Sequence, residues 1–325
     1  MEKYKPVKHT NSEGQESYDW PAADEQGFIE VPGGKVSYRL YGKGKPGVPL
    51  ICLHGGPGGN YGVFYKQIPL AEDRPVLLYN QLGSPDTEVD QSIDTAEKVQ
   101  AVYTIDRFTE ELDTVVKFFE FKEFALLCTS WGCMLGAEYA AKYQPEGLKG
   151  LIFAGPFLKV DTWLQDCERL IRSLDGGDEM LAEIRRCEAS GIYTERFDEI
   201  NTIYSNNFGN RHKDLNYDCP NFIEEVNGHK KIHGVDIYEY MWGKSEFSCT
   251  GTLQHHDSTV CLQKIDCPIL YLPGQYDAGT PQAAFYYNSL TKNGEVAVIP
   301  GGAHRALSER PTESSTIIKE FLNRL

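Results

Sequence analysis

The segment Cys128-Thr129-Ser130-Trp131-Gly132 joins an apolar run, Phe124 to Cys128, to a helix-patterned stretch beginning at Trp131. A serine on such a strand-to-helix turn is held in a strained backbone with its hydroxyl exposed, and the residues two places either side must be small. Gly132 meets that demand, and the Cys128 thiol is small enough to approximate it. The plainer alternative is a serine that merely caps the helix. A nucleophilic serine needs a base, an acid to orient that base, and donors for the oxyanion that forms. Asp277 lies in Gly274-Gln-Tyr-Asp-Ala-Gly-Thr-Pro281, just after the apolar run Pro268 to Leu272, and His304 closes Pro300-Gly-Gly-Ala-His304 after Val296 to Ile299. Singly, either reads as a solvated loop group. Jointly they fit one geometry, because side chains just beyond strand ends converge at one edge of a sheet. His54-Gly-Gly-Pro-Gly-Gly59 follows Val48 to Leu53, and a backbone so free of side chains brings its N–H groups close to a ligand. The N–H groups of Gly56 and Trp131 are the expected oxyanion donors, with Gly55 as a substrate-binding candidate. A phosphate loop is the competing reading, but neither of its glycine spacings occurs and no lysine follows; a plain turn is the other.

These groups require elements to position them. Gly27 to Pro32 and Lys35 to Tyr41 flank Gly33-Gly34 as a hairpin would. Val48 to Leu53, Pro75 to Tyr79, Phe124 to Cys128 and Leu148 to Ala154 are short apolar runs, expected of strands covered on both faces. Helical spacing marks Phe108 to Phe121 and Trp131 to Tyr143, so strand and helix alternate as in a mostly parallel sheet with helices on both faces. From Gly155 to His256 the alternation stops. Helical stretches such as Trp163 to Leu174 and Glu179 to Ser190 follow one another without a buried strand, which predicts a helical insertion. The alternation resumes with Pro268 to Leu272, a helix over Gln282 to Leu290, a strand over Val296 to Ile299 and a last helix from Glu309 to Leu325. The division expected is an α/β core of residues 1–155 and 257–325 and a helical cap of residues 156–256.

Composition narrows the class. The chain has 325 residues, 32 Lys plus Arg against 47 Asp plus Glu, and a formal net charge of −15, which argues against nucleic acid and anionic lipid as partners. Hydrophobic residues at 41% exclude global disorder. Met1 to Trp20 holds no signal-peptide apolar run, and no stretch approaches a membrane span, so a cytoplasmic protein without a membrane partner is expected. The nine cysteines are odd in number, and several sit in apolar runs, which favours buried free thiols. Neither C-x-x-C nor H-E-x-x-H occurs and His255-His256 reads as loop surface, so no metal and no cofactor are expected.

HGGPGG, the Ser-Trp-Gly elbow, Tyr79-Asn-Gln-Leu-Gly83, Met241-Trp-Gly-Lys-Ser-Glu-Phe247, Tyr276-Asp277 and Gly302-Ala-His304 together resemble the prolyl aminopeptidase (proline iminopeptidase) family, which includes the tricorn interacting factor and related amino-acid amidases. The chain order Ser, Asp, His is that of α/β-hydrolases. The resemblance implies an α/β-hydrolase core under a helical cap and release of an N-terminal residue, with proline favoured, from short peptides or amides with a free amino terminus. It implies Ser130 as nucleophile, His304 as base and Asp277 as its orienter. It also implies that a cap glutamate, here Glu246, binds the substrate amine, with Glu199 as a second carboxylate. Three departures from the family pattern stand out. Cys128-Thr129 replaces two glycines and predicts a more crowded pocket, Asn80 replaces an aspartate, and Lys244 replaces a proline and puts a positive charge beside Glu246. The alternatives are an esterase or amidase of small acyl substrates on the same fold, or a non-catalytic small-molecule receptor. Tyr204, Tyr238, Tyr240 and Trp242 suit any of these, because such rings more often pack than recognise.

Overall fold

The computed structural model describes residues 3–4, 7–10, 12, 16–211 and 231–325. The polar leader contributes a two-stranded antiparallel hairpin, β1 (Val7–Thr10) and β2 (Glu16–Asp19), that the sequence pattern did not mark. The central sheet is built from β3 (Glu25–Val31), β4 (Gly34–Tyr41), β5 (Leu50–Leu53), β6 (Val76–Tyr79), β7 (Glu88–Val89), β8 (Phe124–Ser130) and β9 (Leu148–Pro156). After a short pair, β10 (Lys231–Ile232) and β11 (Val235–Asp236), it is completed by β12 (Ile269–Leu272) and β13 (Gly294–Val296). Its order is β13-β12-β9-β8-β5-β6-β4-β3, with β7 also on β4. The six strands from β13 to β6 run parallel, while β3, β4 and β7 are antiparallel.

Period-two alternation explains why the parallel strands read as unbroken apolar runs. Ile51, Leu53, Leu126, Cys128, Leu151 and Phe153 enter the cluster on one face, and Leu50, Cys52, Ala125, Leu127, Ile152 and Ala154 the cluster on the other. Helices α1 (Ala96–Val102), α2 (Ile105–Phe119) and α3 (Trp131–Tyr143) precede the insertion. Thr104 starts α2 by accepting the Arg107 N–H at 3.2 Å. Between β5 and β6 the helix-length segment is a 3-10 helix, Tyr61–Glu72, with Pro69 inside it.

Between β9 and β12 lie α4 (Val160–Arg172), α5 (Gly177–Ser190), α6 (Glu195–Tyr204), a π-turn at Ser205–Gly209 and α7 (Ile237–Met241). Beside these helices the segment holds the short antiparallel β10–β11 pair, two residues on each side. Helices α8 (Pro281–Ser289), α9 (Ala306–Glu309) and α10 (Pro311–Leu322) close the chain. Two boundaries differ from the sequence reading. The continuous last helix is broken at Arg310, because Pro311 has no N–H to extend α9 and is suited instead to the first turn of α10. The strand expected over Val296 to Ile299 is assigned at Gly294–Val296, although Ala297 and Ile299 still donate to the carbonyls of Tyr271 and Pro273 at 2.9 Å each. Among the described residues no helix is long and apolar enough to cross a membrane.

Candidate active site

Ser130 ends β8 and immediately precedes α3, with φ 53° and ψ −124°. Positive φ is costly for a residue with a Cβ and persists only where the surroundings impose it. The hydroxyl does not cap α3, so the capping alternative is not what this turn serves. Gly132 is required by close approach, since a Cβ there would lie 2.2 Å from the Leu53 carbonyl oxygen. Cys128 is fully buried under the elbow, and its Sγ is accommodated because Gly136 faces it; a Cβ on Gly136 would come within 2.7 Å. The expected crowding of the pocket therefore does not come from Cys128, whereas Thr129 does line the cavity beside Ser130.

His304 and Ser130 line one cavity with Gly55 and Gly56. Asp277 is 1% exposed and accepts from His304 Nδ1 at 2.7 Å, from the Gly279 N–H at 2.7 Å and from the Gly274 N–H at 3.0 Å. Those bonds fix the carboxylate and leave His304 Nε2 as the free ring nitrogen. Gly155 packs so closely that a Cβ there would be 2.9 Å from the His304 ring, and Trp163 of α4 meets the ring with centroids 5.2 Å apart. Burial works against the His304 imidazolium, but the charge and hydrogen bond of Asp277, aided by Glu246, outweigh it and raise its pKa above the ordinary value.

The glycine run is held from below. His54 is fully buried; its Nε2 accepts the Gln81 N–H at 3.0 Å, so Nδ1 carries the proton and donates to the Gly55 carbonyl at 2.8 Å. Burial pushes its pKa down to about 4, which keeps it neutral. Gln81 Nε2 donates to the His54 carbonyl at 2.9 Å, and its Oε1 accepts from the Trp131 indole at 2.8 Å. One glutamine thus ties the glycine run to the elbow, a role that nothing in its sequence spacing signals. Asn80 next to it donates to the Pro85 carbonyl at 2.8 Å, which an aspartate could not do, and accepts the Tyr61 N–H at 2.8 Å.

Glu246 is partly buried, and its Oε2 accepts from Tyr238 at 2.5 Å. Burial raises its pKa, while the Tyr238 bond and the neighbouring His304 hold it down. Cys167 and Tyr204, 3.1 Å apart, also feel the Glu246 charge. Two further charged residues of this segment are exposed. Lys244 is exposed, so its charge sits in solvent. Glu199 lies on the outer side of α6, 62% exposed and ion-paired with Arg196 at 2.8 Å, where a charged side chain keeps its hydration. His255 is exposed as expected, but His256 is largely covered and bonds Glu138 at 2.8 Å. Among the described residues no three His, Cys, Asp or Glu side chains form a group able to hold a metal ion.

The α/β hydrolase fold family matches residues 48–178. A proline iminopeptidase from Heyndrickxia coagulans is 36% identical over 300 residues, 92% of this chain and 98% of that one. The chain belongs to the proline iminopeptidase family. It is accordingly a hydrolase with the α/β-hydrolase fold. Among solved structures, VinJ superposes with a TM-score of 0.82 at 25% identity, covering 94% of this chain and all of that one. The proline iminopeptidase of Mycobacterium smegmatis gives a TM-score of 0.80 at 24% identity, covering 92% and 98%, a likeness of fold.

Proposed function

We propose that the chain is a serine aminopeptidase that releases an N-terminal residue, proline favoured, from short peptides or amino-acid amides. The observation that carries this reading is the Asp277–His304 pair at the cavity of a strained Ser130, with the carboxylate of Glu246 near enough to bias His304. In this mechanism His304 Nε2 takes the Ser130 proton and the alkoxide attacks the scissile carbonyl. The oxyanion is received by the N–H groups of Gly56 and Trp131. His304 then gives its proton to the leaving amine, and water activated by the same imidazole releases the acyl group from Ser130. Asp277 holds the ring throughout. Glu246 takes the substrate ammonium, its free Oε1 remaining while Oε2 is engaged by Tyr238. Residues 156–256 act as the cap over the core of residues 1–155 and 257–325, excluding water from the reaction. Eight described cysteines, all unpaired thiols, suit a reducing cytoplasmic setting.

Aminoacyl arylamides, their N-acetyl counterparts and simple esters provide the test. Wild type is expected to cleave free aminoacyl arylamides, and prolyl fastest. Glu246→Gln is expected to lose roughly 30-fold or more in kcat/KM on them, as for a charge pair of about 2 kcal/mol, and Ser130→Ala to lose turnover and fluorophosphonate labelling together. Equal turnover of free and acetylated substrates, indifferent to Glu246→Gln, would replace this reading by the esterase.

A further inference from the structure

The cavity at Ser130 has a volume of about 250 Å³ and extends past His304 to Asn60, Val63, Arg305, Leu307 and Ser308. That is below the roughly 300–1,000 Å³ of pockets for larger ligands, so it suits one small group. Although the chain carries 47 acidic residues against 32 basic ones, the described walls hold no carboxylate and one permanent cation, Arg305. Arg305 makes no ion pair among the described residues, and its charge opposes protonation of His304, which places it within electrostatic reach of the reacting groups. A second cation stands behind the wall, where Lys66 donates to the Ser308 carbonyl at 2.7 Å.

The loop that carries Arg305 is firmly held. The Arg305 N–H donates to the Gly209 carbonyl at 2.9 Å, the Leu307 carbonyl accepts from Gln67 at 2.8 Å, and Glu309 accepts the Ala303 N–H at 2.6 Å. That fixed backbone removes main-chain ordering from the cost of recognising an anion here, while the exposed Arg305 side chain supplies the charge. None of the described residues from 156 to 256 lines this cavity, Glu246 included. The carboxylate for the substrate ammonium and the Arg305 cavity therefore adjoin His304 from different parts of the fold. If the acyl half is anchored by its ammonium at Glu246, the residue that departs with the leaving amine is left to the cavity.

We propose that this cavity is the leaving-group subsite and that Arg305 binds the terminal carboxylate of a substrate with a single residue after the scissile bond. The preferred substrates are then dipeptides with both termini free, the ammonium facing Glu246 and the carboxylate facing Arg305. Val63 and Leu307 supply an apolar wall for the departing side chain. The inference rests on the aminopeptidase reading and narrows it to one chemical class of substrate.

The test compares prolyl-alanine, prolyl-alaninamide, prolyl-alanyl-alanine and a prolyl arylamide on wild type, Arg305→Gln and Arg305→Lys. Wild type is expected to favour prolyl-alanine over prolyl-alaninamide by about tenfold or more in kcat/KM, the scale of one charge-assisted hydrogen bond. The tripeptide, whose carboxylate lies one residue too far, is expected to fall with the amide. Arg305→Gln should bring the ratio of acid to amide towards one, mainly through KM, and Arg305→Lys should keep most of it. Equal turnover of acid and amide by wild type, or a ratio untouched by Arg305→Gln, overturns the subsite while an active arylamide assay leaves the aminopeptidase standing. Failure to cleave any of the four substrates removes both.

Discussion

Protonation of His304 is governed by two carboxylates of different kinds. Asp277 touches Nδ1 at 2.7 Å and is itself pinned by two backbone N–H groups, whereas Glu246 acts through space from the inserted segment. Both favour the imidazolium, and together they outweigh burial. A second histidine near the site, His54, is fully buried with no carboxylate partner, and burial pushes its pKa down to about 4. Residue type therefore does not set the direction in which these two histidines shift; the neighbours do. In the proposed mechanism His304 serves as base only when neutral, so the rate of fluorophosphonate labelling should fall as pH drops through a value above the ordinary histidine pKa of about 6.5. Labelling avoids the titration of a substrate amine. In Asp277→Asn the favourable charge is gone, so the midpoint should move to lower pH while the plateau rate falls by on the order of 10³–10⁴. A midpoint at or below the ordinary value in wild type, unmoved in Asp277→Asn, would contradict the coupling described here.

At the scale of elements, the junction of β8 and α3 was legible because strand and helix periodicity meet at Ser130, and both spans appear in the structure within two residues of their expected ends. The pairing of Asp277 with His304 was legible for a similar reason, each lying just past a strand. The brace through Gln81 was not, since it joins residues 27 and 50 positions away by side-chain bonds that leave no periodic trace. The fit of Cys128 was half legible: its small size could be read, but not that Gly136 is what makes room for Sγ. That pair gives a direct prediction. Gly136→Ala should destabilise the fold by about 1–3 kcal/mol, the usual cost of overpacking a filled core. Cys128→Ala removes the clashing sulfur, so the double variant Cys128→Ala/Gly136→Ala should be more stable than the sum of the single losses by roughly 1 kcal/mol. Additive losses in urea unfolding would show that the sulfur is not the obstacle.

Across the whole molecule, the insertion was visible only as a break in alternation, and its attachment to the core was not visible at all. The contacts that attach it are backbone bonds between distant segments: the Phe208 carbonyl accepts from Ala278 at 3.2 Å and from His304 at 2.9 Å, and the Gly209 carbonyl accepts from Arg305. Glu309 adds a bridge, its two oxygens taking the N–H groups of Ala303 and Arg211. One apolar cluster runs from Ile29, Leu126 and Phe153 of the sheet to Trp163, Met180, Phe197 and Tyr204 of the inserted helices, so the two share a core. A shared core and a strapped base loop imply that neither part unfolds alone. Thermal unfolding followed by far-ultraviolet circular dichroism, by near-ultraviolet signals of the aromatic side chains and by loss of fluorophosphonate labelling should then give one coincident transition. Glu309→Ala strands two backbone donors and should cost about 2 kcal/mol or more, and it should move all three curves down together. Two separated transitions, or a variant that shifts the labelling curve while the dichroism curves stay in place, would mean that residues 156–256 fold independently of the sheet.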